Sequence, residues 1–452
     1  MLNFQRNTSY FLVLTLYFLL ASCSIQKQIA KSANEDVLSN KALTAAHVGI
    51  SIFDPAANKY LYNYQGDKYF VPASNTKLLT CYAAMKYLGD SLVGLKYKVQ
   101  NADIIIQGTG DPTFLNSEFK NQPVFDFISK MASIGYVRFS GSNWQEEHLG
   151  SGWSWNDYNE YYMAERSPFP IYGNIVKFYI KENKLNSSPS SPDIHLLFPV
   201  HGFVAFPVDS ITDEYIDVSR SLNGNFFHVS KSTNKFKDKQ IPFSTYGYAT
   251  STGLLNDTLH PKTRIYWQPE ELSSPFKLTT IHSQPTDSLL KPMMHRSDNF
   301  FAEQSLLMVS NEMLGVMNDE KIIDTLLKTD FKDLPQKPRW ADGSGLSRYN
   351  LFTPQDFVVI LNKMKNEFGM ERIKVILPTG GEGTISSYYK ADSGYIYAKT
   401  GTLSGVVAFS GFLYTKKGKL LIFSTLVNNH QASATEVRKA VEKFLQGIRN
   451  NY

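Results

Sequence analysis

Ser74 and Lys77 stand three positions apart in the run Val71-Pro72-Ala73-Ser74-Asn75-Thr76-Lys77-Leu78-Leu79. A hydroxyl attacks a carbonyl well only when a base takes its proton, and an amine within reach can do so without a histidine. That amine must be partly neutral, although a free lysine has a pKa of about 10.4. Burial, a nearby second cation and the positive end of a helix all push in that direction. The flanking residues predict such a setting. Pro72 suits the first turn of a helix, where its missing N–H would be unpaired anyway. Lys77, Leu78, Cys81, Tyr82, Met85 and Leu88 then follow helical spacing as far as Gly89, a C-terminal stop. Residues three apart share a face, so hydroxyl and amine point the same way. The helix is apolar nearly all round, which predicts a course through a core.

A serine and a lysine at this spacing also arise from an ordinary helix cap, and Ser117-x-x-Lys120 and Ser274-x-x-Lys277 fit equally well. Two further groups set Ser74 apart. Ser297-Asp298-Asn299 opens a helical pattern carried by Phe300, Phe301, Gln304, Leu307 and Met308, and Lys399-Thr400-Gly401-Thr402 closes a strand-like run that starts at Tyr395. Looser matches to the first group, Ser154-Trp-Asn156 and Ser221-Leu-Asn223, lack that placement.

The elements that must hold these groups can be read in order. Val48 to Phe53 and Tyr60 to Tyr64 form a hairpin around Asp54–Asn58, and the Ser74 helix follows. From about residue 92 to 285 the texture changes to short strand-like runs, such as Ala102 to Ile106 and Ile194 to Phe198, with a Ser/Pro patch from Ser187 to Pro192. Gly108-Thr109-Gly110-Asp111-Pro112 lacks the Gly-Lys-Ser/Thr of a phosphate loop and reads as a tight turn. A helix is predicted from Pro354 to Lys365, strands over Tyr395–Lys399, Val406–Tyr414 and Leu420–Val427, and an amphipathic helix from Ser433 to Arg449. Lys416-Lys417-Gly418 turns between the last two strands. Strands at both ends with helices between them predict an α+β fold, one antiparallel sheet assembled from both termini with helices on its faces.

Composition narrows the classes. The chain of 452 residues, 42% hydrophobic and 13% aromatic, is long enough for two or three domains or for one domain with a large insertion. A net charge of +5 without a lysine or arginine block gives no reason to expect nucleic acid as a partner. The nine histidines show no ligand spacing, so no metal is implied. Near the N-terminus Arg6 precedes an apolar run from Tyr10 to Leu20, then Leu20-Ala21-Ser22-Cys23. The run is shorter than the roughly 20 residues of a membrane span. It predicts a signal peptide over 1–22, with Cys23 resembling the lipidated first residue of a bacterial lipoprotein and a polar tether to residue 45. An ordinary signal peptide and an uncleaved anchor are the alternatives. Cys81 is the other cysteine, mid-helix in apolar company, and with Cys23 lipidated no intrachain disulfide forms.

Taken in order, the three groups match the signature of penicillin-binding proteins and serine β-lactamases. Some two hundred residues separate the first two, far more than a compact β-lactamase has there. Glu182-Asn-Lys-Leu-Asn186 imitates the deacylating motif of one β-lactamase class but precedes the Ser-Asp-Asn group instead of following it, so it reads as a surface coincidence. The long insertion, with Gln107–Phe114, Gly152–Asp157, Asp342–Arg348 and Leu377–Gly381, resembles the D-alanyl-D-alanine carboxypeptidase/endopeptidase family of penicillin-binding proteins over about residues 45 to 448. The resemblance implies a transpeptidase-like catalytic domain over 46–92 and 286–452 and a mostly β insertion over 93–285. It implies an acyl-enzyme on Ser74 with Lys77 as base, Ser297 relaying a proton to the leaving amine and Asn299 holding the substrate amide. Lys399, Thr400 and Gly401 would bind a substrate carboxylate, and the N–H groups of Ser74 and Thr402 would form the oxyanion hole. Peptidoglycan stem peptides as substrates, β-lactams as acylating inhibitors, a membrane reached through the lipid, and no cofactor follow from the same resemblance. A β-lactamase or esterase of the same fold, and a non-catalytic envelope lipoprotein, remain the competing readings.

Overall fold

In a computed structural model the residues described are 26–100, 103–189, 214–259, 265–268 and 278–452. The signal peptide, Cys23, the run Ile194 to Phe198 and the Ser274-x-x-Lys277 pattern lie outside them. The chain divides into two compact units. One holds the chain up to Leu78 with Asp333–Trp340 and Asn350–Tyr452; the other holds Leu79–Lys332 and Ala341–Tyr349. The second unit thus takes in the helices after residue 286 as well as the inserted strands. Among the described residues no helix is long and apolar enough to cross a membrane.

The first unit is built on a five-stranded antiparallel sheet in the order Ile396–Leu403, Val406–Tyr414, Leu420–Asn428, His47–Asp54, Lys59–Tyr64. The first strand of the chain pairs with the last, Ile50 opposite Thr425, as expected of a sheet made from both termini. Helices cover it: Ala434–Asn451 packs on the strand Val406–Tyr414, and Pro354–Ile376 packs on three of the strands. With both faces covered, Leu420–Asn428 is buried at every position after its first, which is why it reads as a nearly unbroken apolar run. The helix predicted to stop near Lys365 continues to Ile376, with Gly369 left non-helical at φ 74° where the two segments join. A Thr353–Asp356 capping box fixes its start.

The expected tether is corrected over residues 26–45. Residues 26–33 are helical, and a short π-helical turn, Asn34–Leu38, continues them. Ile29, Ala33, Val37 and Leu43 are buried to 4% exposure or less in one core cluster with Val437, Val441, Phe444 and Ile448. Lys443 pairs with Asp36 at 2.9 Å along the same seam. Ile29, Ala33 and Val37, each four apart, with Leu43 in the turns that follow, are enough to dock a short helix from a polar segment.

The second unit carries a mixed five-stranded sheet, ordered Ile265–Gln268, Val137–Ser140, Asp103–Gly108, Ser91–Gln100, Thr279–Pro285. A three-stranded and a two-stranded sheet accompany it. Glu182 and Asn183, at φ 52° and 58°, form the exposed two-residue turn between Ile175–Lys181 and Lys184–Ser188. A hairpin tip is a surface position, in keeping with the coincidence expected of that motif.

Truncating residues 24–45 uncovers the apolar face of the terminal helix. The shortened protein is expected to melt several degrees lower or to aggregate, and Leu43→Ala alone to cost about 2–4 kcal/mol. An unchanged calorimetric Tm for the truncated chain would restore the tether.

Candidate active site

Ser74 does not sit on the α-helix itself. It occupies a 3-10 turn, Ala73–Thr76, from which the α-helix Lys77–Tyr87 continues. In a 3-10 turn residues three apart are eclipsed, so the relation of Ser74 to Lys77 survives the change. The Lys77 amine donates to Ser74 Oγ at 3.0 Å. Lys77 is completely buried and Ser74 half-buried.

Several unforeseen residues aim this turn. Ala73 is held at φ 47°, a left-handed conformation that costs about 1–2 kcal/mol for a residue with a Cβ. Asn428, on the last strand, pins the approach: its Oδ1 accepts from Val71 N at 2.7 Å and its Nδ2 donates to Val71 O at 3.0 Å. Asn75, fully buried, donates to Ser410 Oγ at 2.7 Å, and Ser410 bonds Ser424 at 2.8 Å, tying the turn to two strands. Such polar residues inside apolar strands were the available signal, although sequence alone gives them no partner.

The strand Ile396–Leu403 is the edge of its sheet. Alternation places Lys399 and Gly401 on one face and Thr400 and Thr402 on the other. A Cβ on Gly401 would lie 2.6 Å from the Pro72 carbonyl oxygen and 3.0 Å from Ser74 N. The glycine therefore lets the strand close on the backbone of the nucleophile turn, a closer reason than the substrate approach expected of it. Ala398 N–H donates outward to Pro378 O at 3.1 Å. The two-residue period carries the N–H groups of Thr400 and Thr402 to that same open edge.

Lys399 is completely buried and donates to the Thr400 carbonyl at 2.6 Å. Burial first, and then the charge of Lys77, hold the Lys399 amine well below the usual lysine range. Dry, like-charged amines beside a serine favour a neutral base. The Thr400 hydroxyl donates to Thr384 at 2.7 Å, and Thr402 Oγ1 accepts from Arg438 at 2.6 Å. Both hydroxyls thus have protein partners.

Ser297 and Asn299 belong to the second unit. Asp298 caps the helix Asn299–Leu314 by accepting from Phe301 N at 3.0 Å, and Ser297, at φ 63°, takes the left-handed turn before it. Asn299 Nδ2 donates to Tyr162 O at 3.0 Å. Ser297 to Phe301 line a cleft of about 440 Å³ together with Tyr161, Tyr162 and Glu118. One turn along, Glu303 is buried, accepts from Ser344 N at 2.7 Å and lies 3.5 Å from the buried Arg166. Its carboxyl is pushed up to about 8, chiefly by burial and then by Asp342, against the pull of Arg166. Trp153 Nε1 donates to Asp342 Oδ2 at 3.0 Å, which joins the stretches Gly152–Asp157 and Asp342–Arg348 noticed in the sequence.

Two outcomes follow from the first unit. Gly401→Ala must push the strand off the turn and is expected to slow acylation of Ser74 at least tenfold, read by stopped-flow with a chromogenic β-lactam; an unchanged rate would dismiss the close approach. Lys399→Met removes an amine whose pKa is depressed on folding. Such a group destabilises the fold below its unfolded pKa of about 10.5, and the penalty fades as pH rises from the depressed value to that point. Denaturant unfolding should therefore find the variant more stable at neutral pH, with the gain shrinking towards pH ~10.5. A gain that stays constant with pH would contradict the depressed amine.

Comparison with known proteins fits this arrangement. The sequence is 24% identical over 478 residues to the D-alanyl-D-alanine carboxypeptidase DacB of Haemophilus influenzae, covering 96% of both chains. It is 24% identical over 445 residues to a D-alanyl-D-alanine carboxypeptidase of Actinomadura, covering 88% of this chain and 80% of that one. The crystal structure of penicillin binding protein 4 (dacB) of H. influenzae superposes with a TM-score of 0.69 at 21% identity, over 93% of this chain and 98% of the other. A complex of that protein with a β-lactam gives 0.62 at 20% identity, with the same coverage. The match to a family profile runs from residue 30, inside the N-terminal helix, to residue 448, and by it the chain belongs to the D-Ala-D-Ala carboxypeptidase 3 (S13) family.

Proposed function

We propose that this enzyme hydrolyses the terminal D-Ala-D-Ala bond of peptidoglycan stem peptides through an acyl-enzyme on Ser74, and that it also cleaves D-Ala cross-links as an endopeptidase. The observation that carries the reading is the 3.0 Å contact of a fully buried lysine amine with the hydroxyl of a half-buried serine, in a chain of this family. Lys77 takes the Ser74 proton as the hydroxyl attacks the carbonyl of the penultimate D-alanine. The oxyanion that forms is met by the N–H groups of Ser74 and Thr402. Ser297 passes the proton to the departing D-alanine amine, and water then releases the acyl group by the reverse relay. The substrate backbone adds antiparallel to the open edge of Ile396–Leu403, with Asn299 on its amide. The Thr400 and Thr402 hydroxyls, exchanged from Thr384 and Arg438, hold the terminal carboxylate, while Lys399 on the other face of the strand acts on it electrostatically.

A β-lactam presents the same acyl group in a ring and acylates the same serine, a reading supported by the β-lactam complex of the H. influenzae relative. The lipoprotein-like Leu20-Ala21-Ser22-Cys23 supports a place in the bacterial cell envelope, facing the periplasm, with a signal peptide over 1–22 and a lipid on Cys23.

Intact mass of the chain after incubation with benzylpenicillin tests the central step. A stable penicilloyl adduct, absent from Ser74→Ala, is expected. Rapid penicillin hydrolysis without an adduct would move the protein to the β-lactamases, and neither adduct nor hydrolysis would leave only a binding protein.

A further inference from the structure

Gln26, the first described residue, follows closely on Cys23 in the sequence. Cys23 and Gln26 are three residues apart, a span of at most about 10 Å when extended. Any lipid on Cys23 therefore holds Gln26 within roughly one Debye length of the headgroups. What surrounds Gln26 then decides how the first unit meets the membrane.

The neighbours are basic. Gln26 Nε2 donates to Tyr60 O at 3.4 Å, which sets the start of the helix beside the hairpin that carries the exposed Lys59. Ser32 lies against Gly447, and Asp36 pairs with Lys443, so the helix runs antiparallel to Ala434–Asn451 and its first residues lie by the end of that helix. There the turn 415–419 packs on the same end: Lys416 N donates to Arg449 O at 2.9 Å, Lys417 Nζ donates to Asn451 O at 3.4 Å, and Lys419 Nζ stands 4.8 Å from the Tyr452 ring centroid. Lys27, Lys416, Lys417 and Lys419 are all exposed. Asp54 at this end is 5% exposed, bound by the amides of Ala56 and Ala57 and by the Tyr452 hydroxyl. Lys27 and Lys59 are thus brought towards the run Lys416-Lys417-Gly418-Lys419 at the end of the unit where the described chain begins.

We infer that this lysine-rich end of the first unit is a docking face for anionic phospholipid headgroups. The lipid and the cations act on one surface, and the unit lies on the membrane in a fixed pose rather than swinging on a leash. The inference rests on the proposed lipidation of Cys23.

The test is amine footprinting of the full-length lipidated protein in vesicles of phosphatidylethanolamine and phosphatidylglycerol, compared with phosphatidylcholine, using a membrane-impermeant acetylating reagent read by peptide mass. Lys27, Lys59, Lys416, Lys417 and Lys419 are expected to react about fivefold more slowly on the anionic vesicles. Lys439, on the same terminal helix but about 18 Å from its end, should react equally on both. Equal rates at all of these lysines, with the protein retained on vesicles and an acyl mass on the Cys23 peptide, would overturn the docking face and leave the anchor standing. Protection by soluble peptidoglycan fragments but not by vesicles would overturn it in favour of the wall. A Cys23 peptide without acyl mass would remove anchor and docking face together, while the penicilloyl adduct on Ser74 still reports the chemistry. The charge reversals K416E, K417E and K419E together should abolish the difference between vesicles without changing the yield of that adduct.

Discussion

Two lysine amines held out of water, beside a serine that is not, form the constraint on which the first unit depends. An ammonium group in an apolar interior is expensive, and two of them repel. Lys77 and Lys399 are nonetheless both fully buried, and burial, with the charge of Lys77, holds the Lys399 amine well below the usual lysine range. A fold that carries such a penalty needs stabilisation elsewhere. Here it comes from a sheet covered on both faces and from a core cluster that reaches from Ile29 to Tyr452.

The same constraint explains the crowding around Ser74. Ala73 in a left-handed conformation, Asn428 on both polar groups of Val71, and Gly401 pressed to the Pro72 carbonyl each limit how far the nucleophile turn can drift. A reacting hydroxyl misplaced by an ångström loses most of its advantage, so positional limits of this kind belong to the chemistry as much as to the fold.

The sheet was legible because its strands are long, apolar and close to chain ends that carry clear turn signals. The three chemical groups were legible because their order and spacing reach beyond any one motif. The N-terminal helix was not, since Ile29, Ala33, Val37 and Leu43 are too few among polar neighbours to raise the average of the segment. Ala73 escaped notice for another reason: alanine has no preference for positive φ, and only the surrounding bonds impose it. Ser74 lies on a 3-10 turn rather than on the α-helix itself, yet its relation to Lys77 is the one the spacing predicts, because both geometries bring residues three apart onto one side. Linear charge counting shows the run Lys416-Lys417-Gly418-Lys419 but not its gathering with Lys27 and Lys59, which lie more than three hundred residues earlier.

Pairing the first strand with the last also sets a clock. His47–Asp54 has one neighbour in Lys59–Tyr64 as soon as that hairpin is made, but its other neighbour, Leu420–Asn428, is the final strand to be synthesised. Ser74 and Lys77 emerge from the ribosome more than three hundred residues before Lys399 and Gly401. Long-range pairing of this kind is slow to form and late to be rewarded. The nascent chain therefore carries its nucleophile through more than three hundred residues of synthesis without the strand that closes on the turn.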